Sequence, residues 1–192
     1  MLQMLYVDEL EFLMDTRTAD AEFAAVNAWL RATLSHRLSI SVLAPPGGDD
    51  DCADLCAHLA SYPEVLVRAL TPPPGASVDD IAALLADTLR FDDDVTLIWA
   101  RGETLAQTEC AQSASQRWVR DVFAAAERTG LLDRCFTALI GPEVSRERAR
   151  KLGYEDGFPA DIPLSTLVRQ LGQEALNREQ YRRRGSSPPC YL

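Results

Sequence analysis

VTLIWA at 95–100 and CFTALIG at 135–141 are the two stretches that decide the fold. Both consist almost entirely of apolar and β-branched residues, which favour strands. A strand with one solvated face alternates between polar and apolar residues, whereas an almost uninterrupted apolar run is typical of a strand covered on both faces. The two stretches therefore predict strands inside a parallel sheet that has helices on both sides.

Further strands and helices follow the same alternation along the chain. LSISVLA at 38–44 and EVLVRAL at 64–70 predict two more strands, and each is stopped by a loop rich in proline and glycine. Helical patterns cover 52–61, 77–90, 110–129, 145–152 and 163–176, and a short edge strand is predicted near 157–158. Four strands alternating with helices predict an α/β fold with a parallel sheet, Rossmann-like or flavodoxin-like.

Two segments lie outside this α/β domain, which we assign to 38–176. Residues 1–37 predict an N-terminal helical arm, with a helix over 8–36 and a break near 16–20. That helix either forms a dimerisation arm or packs on the sheet. Residues 177–192 contain an arginine run followed by Gly-Ser-Ser-Pro-Pro, which predicts a flexible tail that is free or lies across a partner.

Composition excludes several classes of function. The net charge of -10 argues against nucleic-acid binding, which requires concentrated Lys and Arg. No apolar run reaches membrane-spanning length, and the N-terminus lacks the basic region of a secretory signal. The five cysteines are odd in number and irregularly spaced, as is typical of reduced thiols. Together these features predict a cytoplasmic protein.

The fold also predicts where a ligand would bind. In open parallel sheets the ligand lies beyond the carboxyl ends of the strands. The loops at 44–51, 71–76, 100–109 and 141–146 therefore form the expected functional edge. The first loop, Pro45-Pro46-Gly47-Gly48, lacks the glycine pattern of a nucleotide-phosphate loop. The acids Asp49, Asp50 and Asp51 after it are expected to cap the next helix rather than to bind a divalent cation.

The segment GLLDRCFTALIGPEVSRERARKLGYEDGF, residues 130–158, carries a family resemblance. It resembles the cobalamin-binding domain of adenosylcobalamin-dependent aminomutases of the lysine 5,6-aminomutase and ornithine 4,5-aminomutase type. Their pattern is GL-x-DR, a strand, GGP, a helix and A-x-x-LGYDAGF. The matching residues here are Gly130, Leu131, Asp133, Arg134, Gly141, Pro142, Ala149, Leu152, Gly153, Tyr154, Gly157 and Phe158.

The resemblance implies a domain that holds adenosylcobalamin at the ends of its parallel strands. In the family, a histidine in the loop after the first strand binds the cobalt, and the nucleotide tail enters a slot lined by small residues. The corresponding cofactor-binding positions in this chain are Gly47, Gly48, Asp49, Asp50, Asp51, Trp99, Ala100, Gly141, Pro142 and Tyr154.

Three of these loops depart from the family pattern. An aspartate of the run 49–51 stands where the histidine belongs, and a carboxylate is a harder and poorer ligand for cobalt. Trp99-Ala100 replaces a serine, and Ile140-Gly141 replaces a pair of glycines. Bulky side chains at 99 and 140 are expected to fill the slot with protein. Cobalamin binding therefore remains open, without a histidine ligand.

The second cofactor of these aminomutases, pyridoxal phosphate, requires a lysine for its Schiff base. Lys151 is the only lysine of the chain, and it falls on the predicted helix before LGY, where the family has an ordinary surface residue. We therefore expect no pyridoxal phosphate on this chain.

Other candidate sites have simpler interpretations. Cys52, Cys56 and His58 share a predicted helix, but no second pair completes a zinc site, so free buried thiols are favoured. The loop after the third strand carries polar residues that meet either solvent, a ligand or a partner: Gly102, Glu103, Thr104 and Gln107. The run Arg182-Arg183-Arg184 is either solvated or, with Cys190-Tyr191-Leu192, a partner contact. No catalytic residue is singled out.

Three functions remain open on sequence grounds. The leading one is an accessory subunit with a degenerate cobalamin-binding fold, acting beside a larger aminomutase-like subunit or as a homodimer. The second is a genuine cobalamin-binding subunit of an adenosylcobalamin-dependent isomerase, an amino-group mutase whose main active site lies on a partner chain. The third is an enzyme that uses the strand-end cleft for unrelated chemistry, with acids such as Asp49, Asp50 and Asp51 or Glu103.

Overall fold

The structure is a computed structural model that describes residues 5–89, 93–100, 114–142 and 144–184. Five strands alternate with helices along these ranges. The strands are β1 (Leu38–Leu43), β2 (Val65–Leu70), β3 (Val95–Trp99), β4 (Phe136–Gly141) and β5 (Asp156–Pro159). The helices are α1 (Leu5–Thr33), α2 (Asp50–Ala60), α3 (Val78–Leu89), α4 (Ala114–Thr129), α5 (Leu131–Arg134), α6 (Arg146–Lys151) and α7 (Leu164–Arg184).

The strands form one sheet in the order β2-β1-β3-β4-β5, and every neighbouring pair is parallel. This is the flavodoxin-like order, in which the winding direction reverses between β1 and β3. The predicted α/β fold with a parallel sheet is therefore confirmed, including the short edge strand β5. None of the helices in the described ranges combines the length and the apolar character needed to cross a bilayer.

Two apolar cores cover the two faces of the sheet. On the first face, Leu38, Ile40 and Val42 of β1 alternate into a core shared with α1, α2 and α7. The second face packs against α3 and α4, and includes Ile98 of β3 and Leu139 of β4. All five residues are buried, which explains why β3 and β4 consist of nearly uninterrupted apolar runs.

Side-chain caps begin the helices where the sequence predicts them. Asp49 is the N-cap of α2. Ser77 and Asp80 form a reciprocal capping box at α3, with the Ser77 amide 2.8 Å from Asp80 Oδ2 and the Asp80 amide 3.2 Å from Ser77 Oγ. Ser145 caps α6, where its hydroxyl accepts a bond from the Arg148 amide. These short polar residues fix the first turn of each helix against the sheet.

The two chain ends differ from the predictions. α1 is one continuous helix without a break near 16–20, and its second half packs on the sheet, with Val26 and Leu30 buried. α7 continues to Arg184 instead of ending at 176, so the first part of the predicted tail, 177–184, is helical. The extension is anchored by Arg178, whose guanidinium lies 2.6 Å from Glu155. Residues 185–192 lie outside the described ranges.

A polar cluster is buried next to the amino-terminal part of the sheet, away from the expected functional edge. The Asp93 carboxylate is only 4% exposed and accepts hydrogen bonds from Arg68 and from the hydroxyls of Ser39 and Ser41. Asp94 accepts a bond from the Ser39 amide at 3.0 Å. Because each buried carboxylate oxygen has a donor, this cluster joins β1, β2 and the start of β3.

Candidate functional site

An open cleft lies at the carboxyl edge of β1 and β2. Its volume is about 720 Å³, and the loop after β1, the first two turns of α2 and the end of β2 form its walls. The lining residues are Ala44, Gly47, Gly48, Asp49, Asp50, Asp51, Cys52, Ala53, Cys56, Ala69 and Thr71. Five of the residues predicted from sequence, 47 to 51, therefore lie together in one cleft.

Two glycines shape the wall formed by the loop. Gly47 and Gly48 have φ angles of 87° and 81°, a backbone conformation that favours glycine. A Cβ atom at either position would meet no atom within 4 Å. The two glycines are therefore required by the turn, and the space beside them is open to a ligand.

The acidic run beside the glycines begins α2. Asp49 Oδ1 accepts a hydrogen bond from the Cys52 amide at 3.3 Å, and Asp50 and Asp51 occupy the first turn. Carboxylates at this end of a helix interact favourably with the backbone dipoles. The capping function predicted for this run is confirmed.

Two thiols share the inner wall of the cleft, one helical turn apart. Cys52 is 3% exposed and Cys56 is half-buried. A hydrogen bond from the Cys52 thiol lowers the pKa of Cys56, although burial opposes this effect. The same hydrogen bond, together with burial, raises the pKa of Cys52. Cys56 is therefore the more acidic thiol of the pair, and Cys52 donates the hydrogen bond between them.

Selective alkylation tests this assignment. Since the thiolate is the nucleophile, Cys56 is expected to react with iodoacetamide with a midpoint below the pKa of about 8.5 of a free cysteine. Replacing Cys52 with Ala should move that midpoint upward, because the hydrogen-bond donor is lost. Cys135 is the internal control, since burial raises the pKa of its thiol to about 12. A Cys56 midpoint that does not move in the Cys52→Ala variant contradicts the assignment.

A second groove, of about 450 Å³, runs along the other side of α2. Asp51, Asp54, Leu55 and His58 line it from α2, Trp99 from β3, and Ala160, Ile162 and Leu164 from the segment that leads into α7. Sequence reasoning missed this groove. The available signal was the helical spacing of Asp51, Leu55 and His58, which places them on one side of α2. His58 is exposed and is separated from the β1 loop by two turns of α2.

Trp99 and Ile140 fill the interior beside this groove. They are direct neighbours in the pairing of β3 with β4. Both point to the first face of the sheet, where they are 4% and 0% exposed and belong to the same core as Cys52 of α2 and Leu167 of α7. Between the sheet and these two helices, the space next to β3 and β4 is therefore occupied by protein side chains.

The glycine after Ile140 serves the packing of the chain itself. A Cβ atom at Gly141 would lie 1.9 Å from the carbonyl oxygen of Ala100, which is impossible without backbone movement. The Ala100 amide in turn donates to the Ile140 carbonyl at 2.8 Å. Ala100 is buried on the second face, and Pro142 is exposed in the following turn. The absence of a side chain at 141 thus brings the ends of β3 and β4 together.

Tyr154 lies apart from the cleft, although the family resemblance groups it with the cofactor-binding positions. Its ring is buried in the second core, 5.5 Å edge-on from Phe123, and its hydroxyl donates to the Val119 carbonyl at 2.7 Å. Nearby, Arg146 makes two 2.7 Å hydrogen bonds to Asp156. In this structure the LGYEDGF motif fixes α6 and β5 against α4.

Within 5–89, 93–100, 114–142 and 144–184, no group of three or more His, Cys, Asp or Glu side chains is arranged to hold an ion. The predicted edge residues Gly102, Glu103, Thr104 and Gln107 lie outside the described ranges. A zinc site at Cys52, Cys56 and His58 does not form, because His58 lines the groove on the other side of α2.

Comparison with known proteins adds to this description. No protein-family model matches the chain, and no curated protein sequence matches it. Among solved structures, it is similar to a cobalamin-binding protein from Desulfitobacterium hafniense DCB-2, with a TM-score of 0.53, 14% identity, and coverage of 81% of this chain and 67% of that one.

A catalytic mutant of the acetylxylan esterase Axe2 from Geobacillus stearothermophilus has the same identity of 14%, with coverage of 80% and 76%, but a TM-score of only 0.34. That score is too low to support an argument. The similarity to the cobalamin-binding protein concerns the fold alone at this level of identity. With its five parallel strands and flanking helices, the chain has the α/β fold of a cobalamin-binding Rossmann-like domain.

Proposed function

We propose that this chain is an accessory subunit with a degenerate cobalamin-binding fold, acting beside a larger aminomutase-like subunit. It contributes its scaffold and surfaces to the assembly and performs no chemistry on cobalamin. The residues at its carboxyl edge do not fit the cofactor, since the loop after β1 carries aspartates in place of the cobalt-binding histidine.

One observation carries the proposal: Trp99 and Ile140 lie side by side and buried between the sheet and α2 and α7. In the family that the sequence resembles, the nucleotide tail of cobalamin enters a slot lined by small residues. A buried tryptophan and a buried isoleucine at these positions take up space that small residues would leave to such a tail. A tail that entered there would have to displace core side chains. Removing a buried tryptophan from its packing usually costs about 3–5 kcal/mol of folding free energy.

The partner is proposed from the sequence of residues 130–158, which resembles a subunit of an assembly that contains pyridoxal phosphate on another chain. The single lysine, Lys151, forms an exposed ion pair with Glu147 at 2.8 Å on the surface of α6. We do not expect a lysine in this position to carry the Schiff base. Pyridoxal chemistry would therefore belong to the partner. A homodimer is the alternative assembly.

Co-purification from the native host tests the partner. We expect the full-length chain to recover a larger subunit, and a chain that ends at Arg184 to recover less of it. Ending at 184 retains all of α7, so the comparison changes only the eight residues 185–192. The surface control is an Arg128→Ala variant, which removes an exposed ion pair between Arg128 of α4 and Asp79 of α3. If the full-length chain recovers no other protein, the larger partner is contradicted and the homodimer remains. If the two chains recover equal amounts of the larger subunit, residues 185–192 have no role in the contact.

The second candidate function, a genuine cobalamin-binding subunit, is favoured by the open cleft. Gly47 and Gly48 leave free space at the carboxyl edge of β1. Cobalamin held there with its own base on cobalt, and with its tail outside the protein, would not require the filled slot. Such a subunit would retain colour when mixed with cobalamin, which separates it from the accessory protein.

A further inference from the structure

The cleft beside α2 contains two thiols whose positions go beyond the proposed function. Cys52 and Cys56 are four residues apart on an 11-residue helix, so their Cβ atoms lie on the same side of it, about 5–6 Å from each other. Both line the 720 Å³ cleft. Cys52 is the more buried and Cys56 the more exposed of the two, and the two thiols interact with each other.

The charge of the cleft favours a cation. Asp49, Asp50 and Asp51 line it together with the thiols, and no lysine, arginine or histidine is present among its lining residues in the described part of the chain. An anionic ligand such as a phosphate would meet only carboxylates and sulfur. A positive ion is attracted by the same groups, and the attraction is greatest at the partly desolvated wall.

The number and type of ligands narrow the choice of cation. Two sulfur atoms are soft ligands, which select Cu(I), zinc or iron–sulfur clusters over Mg²⁺ and Ca²⁺. Zinc in structural sites takes four ligands, and iron–sulfur clusters take about four cysteines. The described residues provide no third ligand at the thiol pair, and Asp49 is engaged in capping α2. A two-coordinate soft ion is the remaining class.

We propose that Cys52 and Cys56 form a binding site for a soft monovalent cation, Cu(I), held between their two sulfur atoms at the wall of the cleft. Both ligands bind as thiolates, so the thiol protons of Cys52 and Cys56 leave to solvent when the ion enters. The metal does not change oxidation state on binding. Its single positive charge neutralises one of the two thiolate charges and so lowers the cost of ionising the pair at the buried wall.

Anaerobic competition with a chromophoric Cu(I) chelator tests the site. The background is the full chain with Cys110→Ser and Cys190→Ser, which leaves three of the five cysteines. We expect one Cu(I) per chain. Cys52→Ser and Cys56→Ser should each weaken binding by more than the roughly 10–100-fold typical of losing an outer partner of a metal ligand. Cys135→Ala is the matched control, since its thiol is buried elsewhere against Thr96, and it should leave the affinity unchanged.

A second measurement requires no substitution in the helix. Cu(I) added to the background protein should protect Cys52 and Cys56, and not Cys135, from alkylation, as read by mass spectrometry. Zn(II) at the same concentration should protect them much less. Unchanged Cu(I) affinity in both serine variants, absence of protection, or equal protection by zinc would overturn the proposal. The result is independent of cobalamin binding, so this site and the proposed function can fail separately.

Discussion

Replacing Trp99 with Ser is expected to lower the free energy of unfolding by about 3–5 kcal/mol, the usual cost of removing a buried tryptophan. Trp99 is 4% exposed and packs in the core between the sheet, α2 and α7. The same substitution opens the space that a nucleotide tail would need. Combined with Ile140→Gly, it should therefore give a less stable protein that binds cobalamin better than the unaltered chain.

Urea unfolding and a desalting assay with hydroxocobalamin measure the two effects. Trp118→Ser is the matched control, because Trp118 is also a buried tryptophan, 6% exposed, but lies on the second face of the sheet. It should destabilise the fold without any gain in cobalamin binding. A folded double variant at 99 and 140 that retains no more cobalamin than the Trp118→Ser control contradicts the filled-slot explanation.

The second large effect is expected at the opposite edge of the sheet. Arg68→Met leaves the buried Asp93 carboxylate without its positive partner. Breaking a buried ion pair by removing one member costs about 3–5 kcal/mol, because the remaining charge stays out of water. The Ser39 and Ser41 hydroxyls still donate to Asp93, but they carry no charge. Urea unfolding should therefore show a lower midpoint with a similar slope.

An exposed pair provides the comparison. Arg128 lies 2.7 Å from Asp79, with side chains 61% and 86% exposed, and exposed pairs are worth about 0–1 kcal/mol. Arg128→Met should thus lower the free energy of unfolding by at most about 1 kcal/mol. Equal losses in the Arg68→Met and Arg128→Met variants would show that the buried cluster does not join β1, β2 and β3 as described.

The order of elements was predictable because local sequence patterns determined it. The apolar runs at 95–100 and 135–141 coincide with β3 and β4, and Asp49 and Ser77 mark the starts of α2 and α3. The sequence also placed residues 47–51 at one functional edge, since parallel strands bring their carboxyl ends together. These features depend on a few neighbouring residues or on the fold class.

The remaining features depend on contacts between distant residues. The end of α7 was misjudged because Arg178 is held by Glu155, 23 residues away, which no local pattern reveals. Gly141 was placed among the cofactor-binding positions from the resemblance alone, and its close approach to the Ala100 carbonyl became visible only in the structure. The burial of Asp93 is not visible in the sequence, because its partner Arg68 lies on another strand. The groove at His58 also became apparent only from the position of α2 beside Trp99.

We propose that this cobalamin-binding-like fold does not hold cobalamin, because buried Trp99 and Ile140 stand where the family that the sequence resembles has small residues around the tail. The most direct test is to mix the purified full-length chain with adenosylcobalamin or hydroxocobalamin, desalt it, and record the visible spectrum. We predict a colourless protein fraction and no shift in the cobalamin spectrum before desalting. A pink or orange protein fraction that carries about one cobalamin per chain, the amount expected for a single specific site, would contradict the claim.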